Sequence, residues 1–250
     1  MVEISSLCDY CDTLLEPSQV DDYCPNGLQV EGERPVQRLM TGVTACQRLV
    51  DAAVAWGADA LLVHHGYFWR GEAQPLVGMK GRRIRTLMRA GISLLAYHLP
   101  LDVHPEVGNN RCLGDRLGLV EPEPVAGHNG LLWRARLANP CDGQAFGRWV
   151  TSVLGREPLH VPAHARRIAT VAWCSGGGHA YIEQAAMAGA DAYVSGEMSE
   201  QTTHQARELG LDYFAAGHHA TERYGVQALG ARLAEQFGLE HRFVDVSNPA

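Results

Sequence analysis

Gly57-Ala-Asp-Ala-Leu-Leu-Val63 and Gly189-Ala-Asp-Ala-Tyr-Val-Ser195 are nearly the same segment written twice. Each follows a stretch with helical spacing, Cys46 to Trp56 in the first case and Tyr181 to Ala188 in the second. Each of those stretches follows a short apolar run and a turn, Leu39 to Thr44 and Ile168 to Gly178. Further on, Ala90-Gly-Ile-Ser-Leu-Leu-Ala-Tyr97 is matched by Leu209-Gly-Leu-Asp-Tyr-Phe-Ala-Ala216. Gly-Ala-Asp is a common helix-to-strand connector, so one match means little. Three matched segments in the same order predict an internal duplication. The alternation of strand and helix predicts the α/β class: two similar α/β domains, with mostly parallel sheets flanked by helices. The expected halves are residues 1–125 and 126–250, joined where Glu121-Pro-Glu-Pro124 and Gly127 to Gly130 look like a connector. Residues 131–137 then read as a strand and 144–154 as a short helix.

A length of 250 residues suffices for one large core or two small ones. Hydrophobic residues make up 46% and charged residues 20%, ordinary values for a globular protein. The net charge of −7 argues against an extended nucleic-acid backbone as partner, though not against a small nucleotide. The opening MVEISSLCDYC has neither a basic leader nor a continuous apolar stretch, and no window is apolar enough to span a membrane. The seven scattered cysteines read as reduced thiols, so a cytoplasmic location is expected. Cys8 and Cys11 form a single C-x-x-C. They share helical spacing with Ile4, Leu7, Leu14 and Leu15, which reads as an apolar face rather than a redox or zinc site.

In open α/β sheets the functional groups collect beyond the carboxyl ends of strands. The run Ala60 to Val63 ends in His64-His65-Gly66, and Ser93 to Tyr97 ends in His98-Leu-Pro-Leu-Asp102. In the second half, Tyr213 to Ala216 ends in Gly217-His218-His219-Ala-Thr-Glu222. Imidazole and carboxylate together suit zinc, iron or manganese. Adjacent strand residues point to opposite faces, so His64 and His65 are expected to serve two neighbouring ions. Glu222 continues the stripe Val226, Leu229, Leu233 and Phe237 backwards by one turn, and His218 by another. A carboxylate on a core-facing stripe is costly unless paired or metal-bound. If the helix starts later, both residues sit in a solvated loop instead. Ser175-Gly-Gly-Gly178 is either an anion cradle or a permissive turn. His104 and His179 read as neighbours of the site or as exposed. His128, His160, His164, His204 and His241 show no partner pattern.

With these residues in view, the chain resembles the YbgI-like dinuclear metal-centre family, also described as NGG-interacting-factor-like and often named GTP cyclohydrolase I type 2. The matching motifs are Pro25-Asn-Gly-Leu-Gln-Val30, Thr41-Gly-Val-Thr44, His64-His65-Gly66, His98-Leu-Pro-Leu-Asp102, Ser195-Gly-Glu197, Gly217-His218-His219-Ala-Thr-Glu222 and the final Asn248-Pro249. The resemblance covers nearly the whole chain. It implies two divalent transition-metal ions (zinc, iron or manganese) per chain, held by His64, His65, Asp102, His218 and Glu222, with Glu222 as the bridge. It also implies a homohexamer with the metal sites facing an internal cavity, and hydrolytic chemistry. His98 would line the site, and His98 or His219 would carry protons near neutral pH. Five protein ligands leave coordination positions open on two ions, which favours catalysis on a small-molecule substrate, with a nucleotide as the candidate. The rival readings are a metal-dependent adaptor or metal-handling protein, and a di-iron oxidoreductase.

Overall fold

The two Gly-Ala-Asp connectors make the same bonds. Gly57 and Gly189 take positive φ, +69° and +77°, just past a helix, where a side chain would be strained. Asp59 Oδ2 accepts the N–H groups of Gln37 (3.0 Å) and Arg38 (2.9 Å). Asp191 Oδ2 accepts those of Ala169 and Thr170, both at 3.0 Å. In each place the carboxylate satisfies N–H groups at the start of the neighbouring strand and fixes where the next strand begins. The computed structural model describes residues 1–163 and 167–250, so His164 lies outside the described residues.

The chain makes two compact units, Met1–Leu101 with Gly225–Ser247, and Asp102–Tyr224 with Asn248–Ala250. The first begins with α1 (Ile4–Leu15), β1 (Gly27–Val30) and β2 (Arg38–Thr44). Next come α2 (Gln47–Trp56), β3 (Ala60–His65), α3 (Gly78–Ala90) and β4 (Ser93–Ala96), and α4 (Leu99–Val103) leads into the second unit. There the order is α5 (Asn109–Arg116), β5 (Val120–Pro124), β6 (Trp133–Cys141), α6 (Gly143–Leu154), β7 (Leu159–Val161) and β8 (Ile168–Cys174). It continues with α7 (Ile182–Met187), β9 (Ala192–Ser195), α8 (Glu200–Leu209), β10 (Asp212–Ala215) and α9 (His218–Thr221). Finally α10 (Arg223–Phe237) returns the chain to the first unit, which β11 (Glu240–Phe243) completes.

The first sheet has the order β1-β4-β3-β2-β11. Its strands run parallel except for the edge strand β1. β3 lies between β2 and β4 and is buried along almost its whole length, which explains its unbroken apolar run. The second sheet has the order β5-β6-β8-β9-β10-β7. Its centre, β8-β9-β10, is parallel, and β5, β6 and β7 add antiparallel neighbours. The first core gathers Leu49, Leu61, Val63, Leu87 and Leu94. Two clusters fill the second unit, one around Phe146, Trp173 and Phe214, the other around Tyr193, Tyr213 and Ile182.

Three local expectations are corrected. The units do not divide into 1–125 and 126–250, because β11 pairs in parallel with β2, 200 residues away at the His241–Thr41 hydrogen bond, and binds the C-terminal segment to the first sheet. Glu121-Pro-Glu-Pro124 is not a connector but most of the edge strand β5, where prolines cost no ladder bond on the outer side. The helix from His218 is interrupted at Glu222 (φ −112°, ψ 10°), so α9 and α10 are separate helices. Cys8 and Cys11 do lie on α1, where Leu7, Cys11 and Leu15 are buried. Burial lifts the Cys8 thiol to about 11 and Cys11 higher still, so both stay protonated, Cys11 in the core and Cys8 partly buried beside it. No helix among the described residues is long and apolar enough to cross a membrane.

Candidate functional site

In the first unit the carboxyl ends of β3 and β4 bring three imidazoles together. One ligand nitrogen each of His64, His65 and His98 lies within 4.8 Å of the others. The His64 Nδ1 lies 3.0 Å from the carbonyl oxygen of Tyr97. A carbonyl only accepts, so Nδ1 carries the proton and Nε2 keeps its lone pair. The His98 Nδ1 donates likewise to Asp22 Oδ1 at 2.8 Å, which leaves its Nε2 as a base. The His65 Nδ1 is 3.1 Å from Thr44 Oγ1, at the end of β2. This is how protein-held metal-ligating histidines are built, one nitrogen anchored and the other presented. The expectation that His64 and His65 diverge is corrected. Their ring centroids are 4.5 Å apart, even though the His64 ring is tied to the chain just past β4 and the His65 ring to the end of β2.

His98 is held by a loop that sequence reasoning left without a role. Asn26 Oδ1 accepts the His98 backbone N–H (2.7 Å), and Asn26 Nδ2 donates to Asp22 Oδ2 (3.0 Å). Asp22 also accepts the backbone N–H of Leu99 at 2.9 Å. Burial opposes ionisation of Asp22, but His98, Asn26 and the Leu99 N–H together hold its carboxyl well below the usual carboxylate range. Cys24 could join Asp22 and His98 as a ligand group, with ligand atoms again within 4.8 Å. Both Asp22 oxygens, however, are already engaged in holding His98 and its loop. The signal was the motif Pro25-Asn-Gly-Leu-Gln, whose Gln29 also accepts the Tyr67 N–H (2.7 Å) just past β3.

The second unit carries buried carboxylates of its own. Asp102 is buried, and its Oδ1 accepts from Asn109 Nδ2 (2.9 Å) and Ser175 Oγ (3.2 Å). Asn110 braces this arrangement, accepting the Ser175 N–H at 2.8 Å and donating to the Asp102 carbonyl at 3.3 Å. Beyond β10, His218 sits between two carboxylates. Its Nδ1 is 2.7 Å from Glu197 Oε1, and its Nε2 is 3.1 Å from Glu222 Oε2. Burial disfavours the imidazolium, yet the hydrogen bonds and charges of Glu222 and Glu197 outweigh it and raise the His218 pKa to about 9. A cation held at Nε2 would take the place of that proton. Glu222 is buried in spite of the helix break.

Two amides of the glycine loop are taken by neighbouring side chains. The Ser175 N–H goes to Asn110 and the Gly176 N–H to Thr221 Oγ1 at 2.9 Å. Gly176 has φ +59°, and a Cβ there would lie 2.0 Å from Glu222 Oε1 and 3.1 Å from His218 Nε2. Of the remaining histidines, His219 is buried and its backbone N–H donates to the Ala250 carbonyl at 3.2 Å. His104 Nδ1 accepts the N–H groups of Glu106 and Val107, a loop cap. His160 stacks on Phe214, and His241 bonds Thr41 Oγ1 at 2.9 Å. His128 lies edge-on to Tyr181 and His204 pairs with Glu200 on α8, while His179 lies in the turn before α7. Taken separately, the imidazoles of the first unit and the His218 imidazole and buried carboxylates of the second are donor types that suit a transition metal.

A family model described as Duf34/NIF3 (NGG1p interacting factor 3) matches residues 2–249. A protein of Allochromatium vinosum named GTP cyclohydrolase 1 type 2 homolog is 60% identical over 250 residues, covering 100% of this chain and 98% of that one. A Pseudomonas aeruginosa protein of the same name is 54% identical over 251 residues, covering 100% and 99%. Among solved structures, protein ybgI, described as of unknown function, superposes with a TM-score of 0.96 at 46% identity, with both chains fully covered. A Thermus thermophilus protein superposes with a TM-score of 0.90 at 35% identity, again over both whole chains.

Proposed function

The chain belongs to the Duf34/NIF3 (NGG1p interacting factor 3) family, and from that premise we propose that it is a dinuclear metal-dependent hydrolase of a nucleotide or purine-like substrate. In this reading His64, His65, Asp102, His218 and Glu222 are the ligands of two divalent transition-metal ions, zinc, iron or manganese, and Glu222 bridges them. The observation that carries it is the common build of the adjacent imidazoles: His64 and His65 each engage Nδ1 with a neighbouring oxygen, which leaves Nε2 as the coordinating nitrogen, and their ligand atoms lie within 4.8 Å of one another. Two ions so held would supply Lewis acidity and activation of water. The relatives' name, GTP cyclohydrolase 1 type 2 homolog, supports a purine nucleotide as the substrate class.

The protein's own groups have distinct parts in this scheme. His98 accepts a proton at Nε2 while Asp22 steadies the resulting imidazolium through Nδ1. His219 is the second histidine proposed for proton transfer. Glu197 fixes the His218 ring so that Nε2 faces Glu222. Asn109 and Ser175 fix one oxygen of Asp102 and so orient the other. The same reading makes the protein a cytoplasmic homohexamer. The test is elemental analysis joined to a metabolite screen with metal-loaded protein. Two ions per chain, a consumed purine compound and the loss of both in Glu222→Ala are expected. Full metal occupancy in His64→Ala and His65→Ala would refute the ligand set, and a redox-dependent visible band without hydrolysis would refute the reaction class.

A further inference from the structure

We propose that Tyr23 and Trp69 form an aromatic wall beside the His64–His65–His98 cluster, and that it stacks a planar heteroaromatic ring of the substrate. This deepens the proposed function and rests on its placing the substrate at that cluster. The Tyr23 and Trp69 ring centroids are 5.5 Å apart. Both rings stand edge-on to His98, each at 5.0 Å, and Trp69 is 5.9 Å from His65. Tyr23 is nevertheless 51% exposed, and Trp69 is only partly buried. Aromatic side chains are the largest apolar groups a core can use, so a pair left open to solvent beside a cluster of imidazoles adds little to stability.

The backbone is built to hold the wall open. Trp69 lies in the loop that leaves β3, directly after Phe68, whose φ is +67°. Left-handed backbone is unfavourable for a bulky residue, and such strain persists where the surroundings enforce it, typically at ligand sites. Here Glu72 Oε2 accepts the N–H groups of both Phe68 (2.9 Å) and Trp69 (3.2 Å). The Tyr67 hydroxyl donates to the Ala45 carbonyl at 2.7 Å and fixes the loop's start. Arg70 then staples this loop to the other: its N–H donates to the Tyr23 carbonyl (2.8 Å) and its guanidinium to the Asp22 carbonyl (3.0 Å). The loop that positions His98 through Asp22 is therefore the loop that positions Tyr23. An aromatic face accepts any planar π-ring with little regard to its substituents, so the wall selects the class of substrate and the histidines act on its edge.

Calorimetric titration of the zinc-loaded protein with guanosine 5′-monophosphate tests the wall, with ribose 5-phosphate as the ring-free control. Stacking on one aromatic side chain should make nucleotide binding about tenfold weaker in Tyr23→Ala and in Trp69→Leu. Trp69→Phe should restore most of it, and ribose 5-phosphate should bind all four proteins alike. The proposal is overturned if the nucleotide does not bind the wild type, if the variants bind it as the wild type does, or if ribose 5-phosphate binding falls in parallel. Metal and turnover assays on the same samples judge the hydrolase reading separately. A wild type that stacks the nucleotide and hydrolyses nothing sinks that reading and leaves the wall.

Discussion

Replacing Gly176 with alanine should damage the site although residue 176 supplies no ligand atom. Two costs can be separated. The first is backbone: at φ +59° a Cβ costs about 1–2 kcal/mol relative to glycine. The second is contact. The added carbon would start 2.0 Å from Glu222 Oε1, so the carboxylate must retreat by about an ångström to reach the 3.0 Å that real Cβ atoms keep. That retreat takes Glu222 away from His218 Nε2, now 3.1 Å distant, and loosens a buried charge-assisted bond worth about 1–3 kcal/mol. Gly118 isolates the first cost, since its φ is +63° and a Cβ there meets nothing within 4 Å. Urea denaturation of the metal-free proteins should show Gly118→Ala destabilised by about 1–2 kcal/mol and Gly176→Ala by about 2–5 kcal/mol. Elemental analysis should show full metal in Gly118→Ala and reduced metal in Gly176→Ala. Equal destabilisation of the two variants, with metal retained in both, would refute the claim that the glycine exists to admit Glu222.

Three further outcomes are expected. Glu222→Gln should lose metal, whereas Glu197→Gln, which only steadies His218, should keep stoichiometric metal with affinity about tenfold lower; elemental analysis and competition with a chelator decide it, and the reverse pattern means the site rests on the wrong carboxylate. His218 in the metal-free protein should titrate near 9, above its unfolded value of 6.5, so its contribution to metal-free stability is full below 6.5 and disappears as pH rises through 9. Metal uptake at neutral pH must then release a proton and tighten as pH rises towards 9, which calorimetry in buffers of different ionisation enthalpy measures; no proton release would contradict His218 as a ligand. Asp22→Asn should destabilise the fold by about 1.5–3 kcal/mol, because the hydrogen bonds from His98 and the Leu99 N–H lose their charged acceptor; an unchanged urea midpoint would dismiss Asp22 as the anchor of His98.

The α/β class and the chemistry at the strand ends were legible because both are local. A parallel strand buried on two faces must be an apolar run, as in Ala60 to Val63, and the residues just beyond it are where polar groups can gather. The paired Gly-Ala-Asp connectors were legible for the same reason: a left-handed glycine and a carboxylate that accepts two backbone N–H groups leave their mark within three residues. Tertiary structure alone decided what depends on partners distant in sequence. The parallel pairing of β11 with β2 moved the unit boundary from about 125 to Leu101, and a short half-exposed strand such as Glu240–Phe243 carries no mark of which sheet it will join. The proton positions on His64 and His98 depend on the Tyr97 carbonyl and Asp22, which the sequence places 33 and 76 residues away. The helix break at Glu222 was hidden because its flanking residues keep helical periodicity on both sides. Periodicity reports which face of a segment is buried; it does not report which atoms the chain brings to meet that face.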